Sequence, residues 1–255
     1  VSLEETLAIA RDYADRYAGE RFRDMDSRRL GYLFQRNNRE LSLIVEELWK
    51  ELNAAAFRPV DFELAFGKDG ALPAIRIPND AMPASLRGYV DRVDAWEDAG
   101  GIYLRVTDYK TGKKSFDYCD ISQGVGLQML LYLFALERNG DAIFSGRRMP
   151  GGVEYFPARV PYIPADGPLN PEEAEEERTK NFTRSGLFLE EDRVLRAMEP
   201  EALGTRLPVK EKKDGSLAGS LASSHQFKLL EGFVFHLLAD LVEEIATGNV
   251  SPNPY

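Results

Sequence analysis

The chain has 255 residues, of which 44% are hydrophobic, so it is long enough to bury a substantial core. Its formal net charge of −10 argues against a free-standing, non-specific DNA-binding protein, since such proteins are usually basic. The N-terminal residues lack the features of a signal peptide, and no apolar run approaches the length of a membrane span. The single cysteine, Cys119, can form no internal disulfide. We therefore expect a cytoplasmic protein with no membrane association.

The first 57 residues are predicted to be mainly helical. Residues 3–17 form an amphipathic pattern, and a longer helix is expected over residues 27–56. Ser27 is a suitable N-cap for the second helix, and Pro59 lies just beyond its end.

Four strand patterns follow, and the rest of the chain contains both helix and strand patterns. Four strands are predicted at residues 60–66, 71–77, 86–96 and 102–109, the last two joined by a tight glycine turn. Helices are predicted at 121–138, 170–180, 192–198 and 223–247, with a strand at 153–156 and a lysine-rich hairpin at 207–219. This order indicates an α/β fold in which helices flank a mixed sheet.

Two aspartates and a lysine interrupt the third and fourth predicted strands. Asp91 lies in GYVDRVD, and Asp108 and Lys110 lie in VTDYKTGKK. The tight turn should bring Asp91 close to Asp108, while strand alternation sends Asp108 and Lys110 to one face and Tyr109 to the other. The pattern therefore predicts a site with two carboxylates and one ammonium group.

These groups suit metal-dependent hydrolysis of a phosphodiester bond. Carboxylates are hard oxygen ligands for Mg²⁺ or Mn²⁺, and the backbone carbonyl of Tyr109 could add a further oxygen. Lys110 could stabilise the negative charge that develops on the phosphate. The competing interpretations are a surface salt bridge, a non-catalytic DNA-guiding module of the same fold, and, more remotely, another enzyme with a paired-carboxylate metal site.

Further polar residues surround this pattern. Gly124, Gln128 and Tyr132 are spaced to share one face of the helix predicted at 121–138, where Gln128 is expected to be buried. Its amide would bond either to the catalytic site or to the helix backbone. Gly88 lacks a side chain, so a backbone or a ligand could approach there. Four basic residues could contact phosphate, the first two being otherwise solvated on strand faces: Arg92, Arg105, Lys113 and Lys114.

Taken together, GYVDRVD, VTDYKTGKKSF and GLQMLLYLFAL resemble the nuclease domain of the RecB-family PD-(D/E)XK nucleases. The segments FRPVDFELAFG and GGVEYFPAR are similar to AddB-type subunits within that family, and the resemblance extends over about residues 27–255. It implies a restriction-endonuclease-like fold and an exonuclease that degrades the single strand emerging from duplex DNA. A helicase partner subunit would unwind that duplex at double-strand breaks, for recombinational repair.

The resemblance also assigns roles to particular residues. It implies that Asp91 and Asp108, with Tyr109, hold the metal, that Lys110 is the catalytic lysine, and that Gln128 and Tyr132 are the paired residues of the helix motif. The family also has an upstream histidine ligand and four cysteines that hold a 4Fe-4S cluster. This chain matches neither feature, so we expect a fragment of a larger subunit, with weak or no activity by itself. We expect one nuclease domain over residues 1–255, consisting of a helical lead-in (1–57), a catalytic core (58–160) and a helical extension with a hairpin (161–255).

Overall fold

A computed structural model describes residues 1–21, 28–67, 70–160 and 167–249 of the chain. The helices within these ranges are α1 (Leu3–Arg21), α2 (Arg28–Ala54), α3 (Tyr118–Ser122), α4 (Gln128–Asn139), α5 (Pro171–Asn181), α6 (Asp192–Met198) and α7 (Ser224–Ala246). The strands are β1 (Arg58–Phe66), β2 (Ile75–Arg76), β3 (Ser85–Leu86), β4 (Gly88–Asp98), β5 (Gly101–Lys110), β6 (Arg148–Pro157), β7 (Ser185–Leu189), β8 (Val209–Glu211), β9 (Leu217–Gly219) and β10 (Leu221–Ala222).

The main sheet has six strands in the order β1-β4-β5-β6-β7-β10. Strand β5 runs antiparallel to β4 and parallel to β6, so the sheet is mixed. The apolar helix α4 packs on β5 and β6, and α7 packs on α4. On the opposite face, Glu51 of α2 forms ion pairs with side chains of β4 and β5. The expected α/β fold, a mixed sheet with flanking helices, is confirmed.

Two of the predicted strands differ from the observed ones because the chain changes sheets between them. In the segment predicted as a strand at 71–77, Leu72 forms an isolated bridge with Phe66 of β1. The strand itself is only Ile75–Arg76, and it pairs with β3 in a separate two-stranded sheet. Pro73 and Pro78 flank this pair, and proline has no N–H to donate to a ladder. The predicted strand at 86–96 is interrupted at Arg87, since Ser85–Leu86 pairs with β2 while β4 pairs with β1.

The single helix predicted at 121–138 is also wrong. The chain forms α3 and then, after a break, α4. Gly124 has a φ of 79° and Gly126 a φ of 73°, in the left-handed region that glycine adopts readily and an L-residue helix does not. Gly124 therefore lies outside α4 and does not share a helix face with Gln128 and Tyr132.

Strands β7 and β10 were not predicted from the sequence, although both extend the main sheet. Strand β7 is a short apolar run without alternation, which periodicity cannot distinguish from a buried helical turn. The hairpin of β8 and β9, helix α6 and the closing helix α7 agree with prediction. The predicted cap residue Ser27 lies outside the described residues. No helix in the described part of the chain is long and apolar enough to cross a membrane.

Candidate active site

The antiparallel ladder between β4 and β5 stops where the predicted site begins. It runs from the turn at Asp98 and Gly101 as far as Arg92 opposite Thr107. Just beyond this last pair, Oδ2 of Asp91 accepts a hydrogen bond of 2.9 Å from the backbone N–H of Tyr109. The Asp91 carboxylate thus takes the place of a backbone acceptor, which fixes it against β5 at the point where the two strands separate.

Asp108 and Lys110 lie together on one face of β5, as strand alternation predicts. The Nζ atom of Lys110 lies 2.6 Å from Oδ2 of Asp108, so the two side chains form an ion pair at hydrogen-bonding distance. Burial raises the pKa of the Asp108 carboxyl above its ordinary value, Lys110 opposes this rise, and the charge of Asp91 adds to it. Asp91 is bound to the backbone of Tyr109, the residue between Asp108 and Lys110, so the three groups form one cluster.

The side chain of Tyr109 points to the opposite face of the sheet. Its hydroxyl accepts a 2.8 Å hydrogen bond from Arg92, and its ring packs against Phe156. The carbonyl of Lys110 accepts from the N–H of Ala158 on the β6 side. Because backbone groups alternate along a strand, the carbonyl of Tyr109 faces the β4 side, where Asp91 lies. That carbonyl is available as a third oxygen of the cluster.

This donor set fits a hard divalent cation. Two carboxylates and one backbone carbonyl are the oxygen ligands that Mg²⁺ or Mn²⁺ accepts, with water and phosphate oxygens at the remaining positions. Within the described residues, no group of three or more His, Cys, Asp or Glu side chains is arranged to hold a metal ion. The described part of the chain thus offers two acidic ligands, and the family's upstream histidine has no counterpart there.

Gln128 and Tyr132 lie at the start of α4, close to β4. The Nε2 atom of Gln128 donates to the hydroxyl of Tyr132 over 3.1 Å, and the Tyr132 ring stacks on Phe66 with centroids 5.7 Å apart. Gln128 is exposed rather than buried, because α4 begins at this residue, so the expectation of a buried amide is wrong. Tyr132 is 9% exposed, and it contacts Gln128, Phe66 and Gly88.

Tyr132 also explains why Gly88 has no side chain. A Cβ atom on Gly88 would lie 2.2 Å from the Tyr132 hydroxyl oxygen, so the side chain that approaches this strand is that of Tyr132. Neither a backbone segment nor a ligand is needed to account for the glycine. Since Gly88 lies three residues before Asp91 on β4, the contact also anchors this end of the strand.

We expect the Gly88→Ala substitution to destabilise the fold by about 1–3 kcal/mol, because the added methyl group overpacks against Tyr132. Adding Tyr132→Phe should restore part of the loss, since it removes the closest atom. Urea unfolding of the single and double variants measures both effects. Gly232→Ala is the control: that glycine is exposed on α7 with nothing within 4 Å, so the change should be neutral or stabilising. Equal stability of Gly88→Ala and the native chain would contradict the packing argument.

The structure contradicts both roles considered for Arg92 and Arg105. Arg92 is 0% exposed and Arg105 is 1% exposed, so they are neither solvated nor able to contact phosphate. Arg105 binds Asp94 at 2.7 Å and Glu51 at 2.8 Å, and Arg184 binds Glu51 at 2.6 Å. The connected network contains four acidic and four basic side chains: Glu47, Glu51, Asp94, Glu154, Arg92, Arg105, Arg184 and Arg206.

This buried network lies behind the candidate site, on the other face of the same strands. Arg92 and Thr107 adjoin Asp91 and Asp108 in the chain, and Arg92 holds the Tyr109 hydroxyl. Burial alone would raise the pKa of Glu51, but the charges of the surrounding arginines lower it below its ordinary range. The network therefore fixes α2 to the sheet and supports the backbone that carries the site.

Tyr155 is a site neighbour that the sequence interpretation missed. It lies on β6 directly opposite Asp108, and it is buried. Burial raises the pKa of its phenol, and the charges of Asp108 and Asp120 add to the rise. The alternation of GGVEYFP places Tyr155 on the face opposite that of Glu154, but only the pairing of β6 with β5 brings it beside Asp108.

Comparison with known proteins identifies the family. The family model of the PD-(D/E)XK nuclease superfamily matches residues 2–255 of the chain. The chain belongs to the PD-(D/E)XK nuclease superfamily. Its relatives include an ATP-dependent helicase/deoxyribonuclease subunit of Acetivibrio thermocellus, which is 38% identical over 90% of this chain and 20% of that protein. The equivalent protein of Clostridium acetobutylicum, which has the same name, is 33% identical over the same shares.

The expected resemblance to AddB-type subunits is confirmed by these relatives, each of which is named as a subunit of an ATP-dependent helicase/deoxyribonuclease. The chain spans about a fifth of the length of the curated relatives it matches. It corresponds to the nuclease part of such a protein, since the superfamily match covers nearly all of this chain.

Proposed function

We propose that this PD-(D/E)XK chain is a metal-dependent deoxyribonuclease that cuts the single strand emerging from unwound duplex DNA. The observation that carries the proposal is the cluster of Asp91, Asp108 and Lys110 where β4 and β5 separate. The relatives' name supplies DNA as the substrate class and a helicase-containing assembly as the setting. In that assembly, the chain would process the ends of double-strand breaks for recombinational repair.

In this proposal, each residue of the cluster has a distinct task. Asp91, Asp108 and the Tyr109 carbonyl would hold Mg²⁺ or Mn²⁺. When bound, the ion would activate water and offset the charge that grows on the phosphate. Lys110, which is 37% exposed, can turn from Asp108 towards a phosphate oxygen and stabilise its negative charge. Tyr132 and Gln128 would form the adjoining wall, where a strand could contact their hydroxyl and amide groups.

A non-catalytic DNA-guiding module is the alternative, and the buried carboxylate favours the nuclease. Burial disfavours the ionised form of Asp108, so retaining this acid beside Asp91 has a cost in folding free energy. In a scaffold, nothing would offset that cost. In a metal-binding site, the bound ion would offset it by neutralising both carboxylates.

The test is the cleavage of an end-labelled single-stranded oligonucleotide in Mg²⁺, Mn²⁺ and EDTA. We expect the Lys110→Met variant to lose about 100-fold or more in rate, since a lost charge-stabilising donor typically costs that much. Metal binding should persist, because both carboxylates remain. Lys210→Met, an exposed lysine on β8, is the matched control and should cleave normally.

The assay should include both this chain and the full-length protein with its helicase partner. We expect weak cleavage by the chain and strong cleavage by the assembly, because the described residues supply only two acidic ligands and the chain is acidic overall. Strong cleavage by the chain alone would refute the incomplete-site argument. Normal cleavage by an assembly that carries Lys110→Met would refute the assignment of the catalytic lysine.

A further inference from the structure

A cavity of about 530 Å³ opens next to the candidate site. Its walls are the loop that follows β5, the end of β6, and the chain from the end of α5 to the start of β7. Lys110 is part of this lining and also pairs with Asp108, so the cavity and the carboxylate cluster share a side chain. The cavity therefore adjoins the candidate site through Lys110.

The cavity is cationic in a chain that is acidic. Acidic residues outnumber basic ones by 42 to 32 in the whole sequence, yet no acidic residue lines this cavity within the described part of the chain. Such a concentration of one charge in a concave surface attracts an anion more strongly than the net charge suggests. Five lining residues are basic: Lys110, Lys113, Lys114, Arg159 and Lys180.

Three of these cations are available to a ligand. Lys180 pairs with Glu177 at 2.5 Å, and Lys110 is held by Asp108. Among the described residues, Lys113, Lys114 and Arg159 form no ion pair with a carboxylate. Lys113 and Arg159 are exposed, and hydrogen-bonding groups lie between the cations on Thr111, Ser115, Asn181, Thr183 and Ser185.

The aromatic residues of the lining do not offer a stacking surface. Phe156 is 0% exposed and Tyr155 is 7% exposed, so no ring face is free to receive a base. Recognition in the cavity would therefore involve backbone phosphates rather than bases. Binding of that kind is independent of sequence and strongly dependent on salt.

We propose that this cationic cavity binds the backbone phosphates that adjoin the scissile phosphate in the cut strand. The proposal rests on the proposed nuclease function, and it adds a phosphate-binding site that involves the C-terminal part of the chain through Lys180 and Thr183. Lys113 and Lys114 lie on the loop that follows Lys110, and Arg159 lies just beyond the end of β6. The site holds the strand while Asp91, Asp108 and Lys110 act on one phosphate.

The experiment measures the anisotropy of a labelled single-stranded oligonucleotide in EDTA, where no cleavage occurs, over a series of salt concentrations. It compares Lys113→Ala/Lys114→Ala with Lys212→Ala/Lys213→Ala, an equal charge change at exposed residues that follow β8. We expect the first pair to reduce the slope of log affinity against log salt by about 1.4, or about 0.7 per lost phosphate contact. The control should leave the slope unchanged.

Equal slopes and affinities for the two double variants would overturn the proposal. Thermal unfolding of both variants excludes a folding defect as the cause of any loss. Inorganic phosphate, added at the total phosphate concentration of the oligonucleotide, should not displace it; displacement would indicate a site for a free anion and would also overturn the proposal.

The same variants separate this inference from the proposed function. Cleavage by the full assembly should fall in the Lys113→Ala/Lys114→Ala variant through weaker binding of DNA, with the rate at saturating DNA retained. An assembly with Asp108→Asn that still cleaves normally would refute the nuclease function but not the salt-slope result. Loss of cleavage in Asp108→Asn, together with native binding by Lys113→Ala/Lys114→Ala, would refute the phosphate site alone.

Discussion

Replacing Asp108 by asparagine should remove metal binding and cleavage while leaving the fold intact. An amide is a weak neutral ligand, so the ion loses one of its two acidic contacts. Even residues that only orient a metal ligand typically contribute about 10- to 100-fold, so the loss of the ligand itself should reduce cleavage by more than about 100-fold. The full assembly is the material for the cleavage assay.

In the absence of metal, the same substitution should leave the stability of the fold unchanged or increase it. Burial raises the pKa of Asp108, so its ionised form at neutral pH has a cost in folding free energy that a neutral amide avoids. We therefore expect Asp108→Asn to unfold at the same or a higher temperature than the native chain in EDTA. It should lose the rise in melting temperature that Mn²⁺ gives the native chain.

Asp80→Asn is a suitable control, because Asp80 is exposed and lies outside the site. It should keep both the Mn²⁺ response and cleavage. A native Mn²⁺ response in Asp108→Asn would contradict the ligand assignment. A large loss of stability in EDTA would instead mean that the carboxylate is a structural partner of Lys110, which is the salt-bridge interpretation of the motif.

The carboxylate cluster was predictable because local rules determine it. A tight turn fixes the register between β4 and β5, and alternation along β5 then places Asp108 and Lys110 on one face with Tyr109 on the other. These relations depend on about twenty consecutive residues, so one sequence is enough to infer them. The hydrogen bond from Tyr109 to Asp91 was not foreseen, because it depends on where the ladder stops.

The buried network could not be predicted by the same rules. Alternation places Arg92 and Arg105 on one face of the sheet, but it does not say which element covers that face. Their partner Glu51 is on α2, and its other partner, Arg184, is 133 residues further along the chain. Isolated arginines on strands are usually solvated, so the general expectation failed where distant segments supplied matched charges.

The error at Gln128 has a different cause. The apolar sequence from Met129 to Leu136 does form a buried helix, as predicted. The helix begins only at Gln128 and not at residue 121 as predicted, because Gly124 and Gly126 adopt left-handed conformations that end the preceding turn. A side chain at a helix start faces solvent more readily than one in the middle. Hydrophobic spacing predicts the face of a helix better than its ends.

Replacing Arg105 by methionine should cause the largest loss of stability among these changes. Arg105 is almost fully buried and binds Asp94 and Glu51 within 3 Å, with Glu154 at 3.6 Å. Removing it leaves three buried carboxylates with too little positive charge, and breaking a buried ion pair in this way typically costs about 3–5 kcal/mol. Urea unfolding measures this free energy. Arg178→Met, which removes a partly exposed arginine paired with Glu175, should change it little.

The pH dependence distinguishes this electrostatic cost from a packing defect. In the variant, the pKa of the carboxyl groups that face the missing guanidinium should rise in the folded state above the unfolded values of about 3.9 for aspartate and about 4.3 for glutamate. A raised folded pKa stabilises the fold at low pH, and that stabilisation is lost as pH rises through it. The difference in stability between the native chain and Arg105→Met should therefore be smaller near about pH 5 than near about pH 8. A difference that is the same at both would mean that lost packing, not unpaired buried charge, makes the variant unstable.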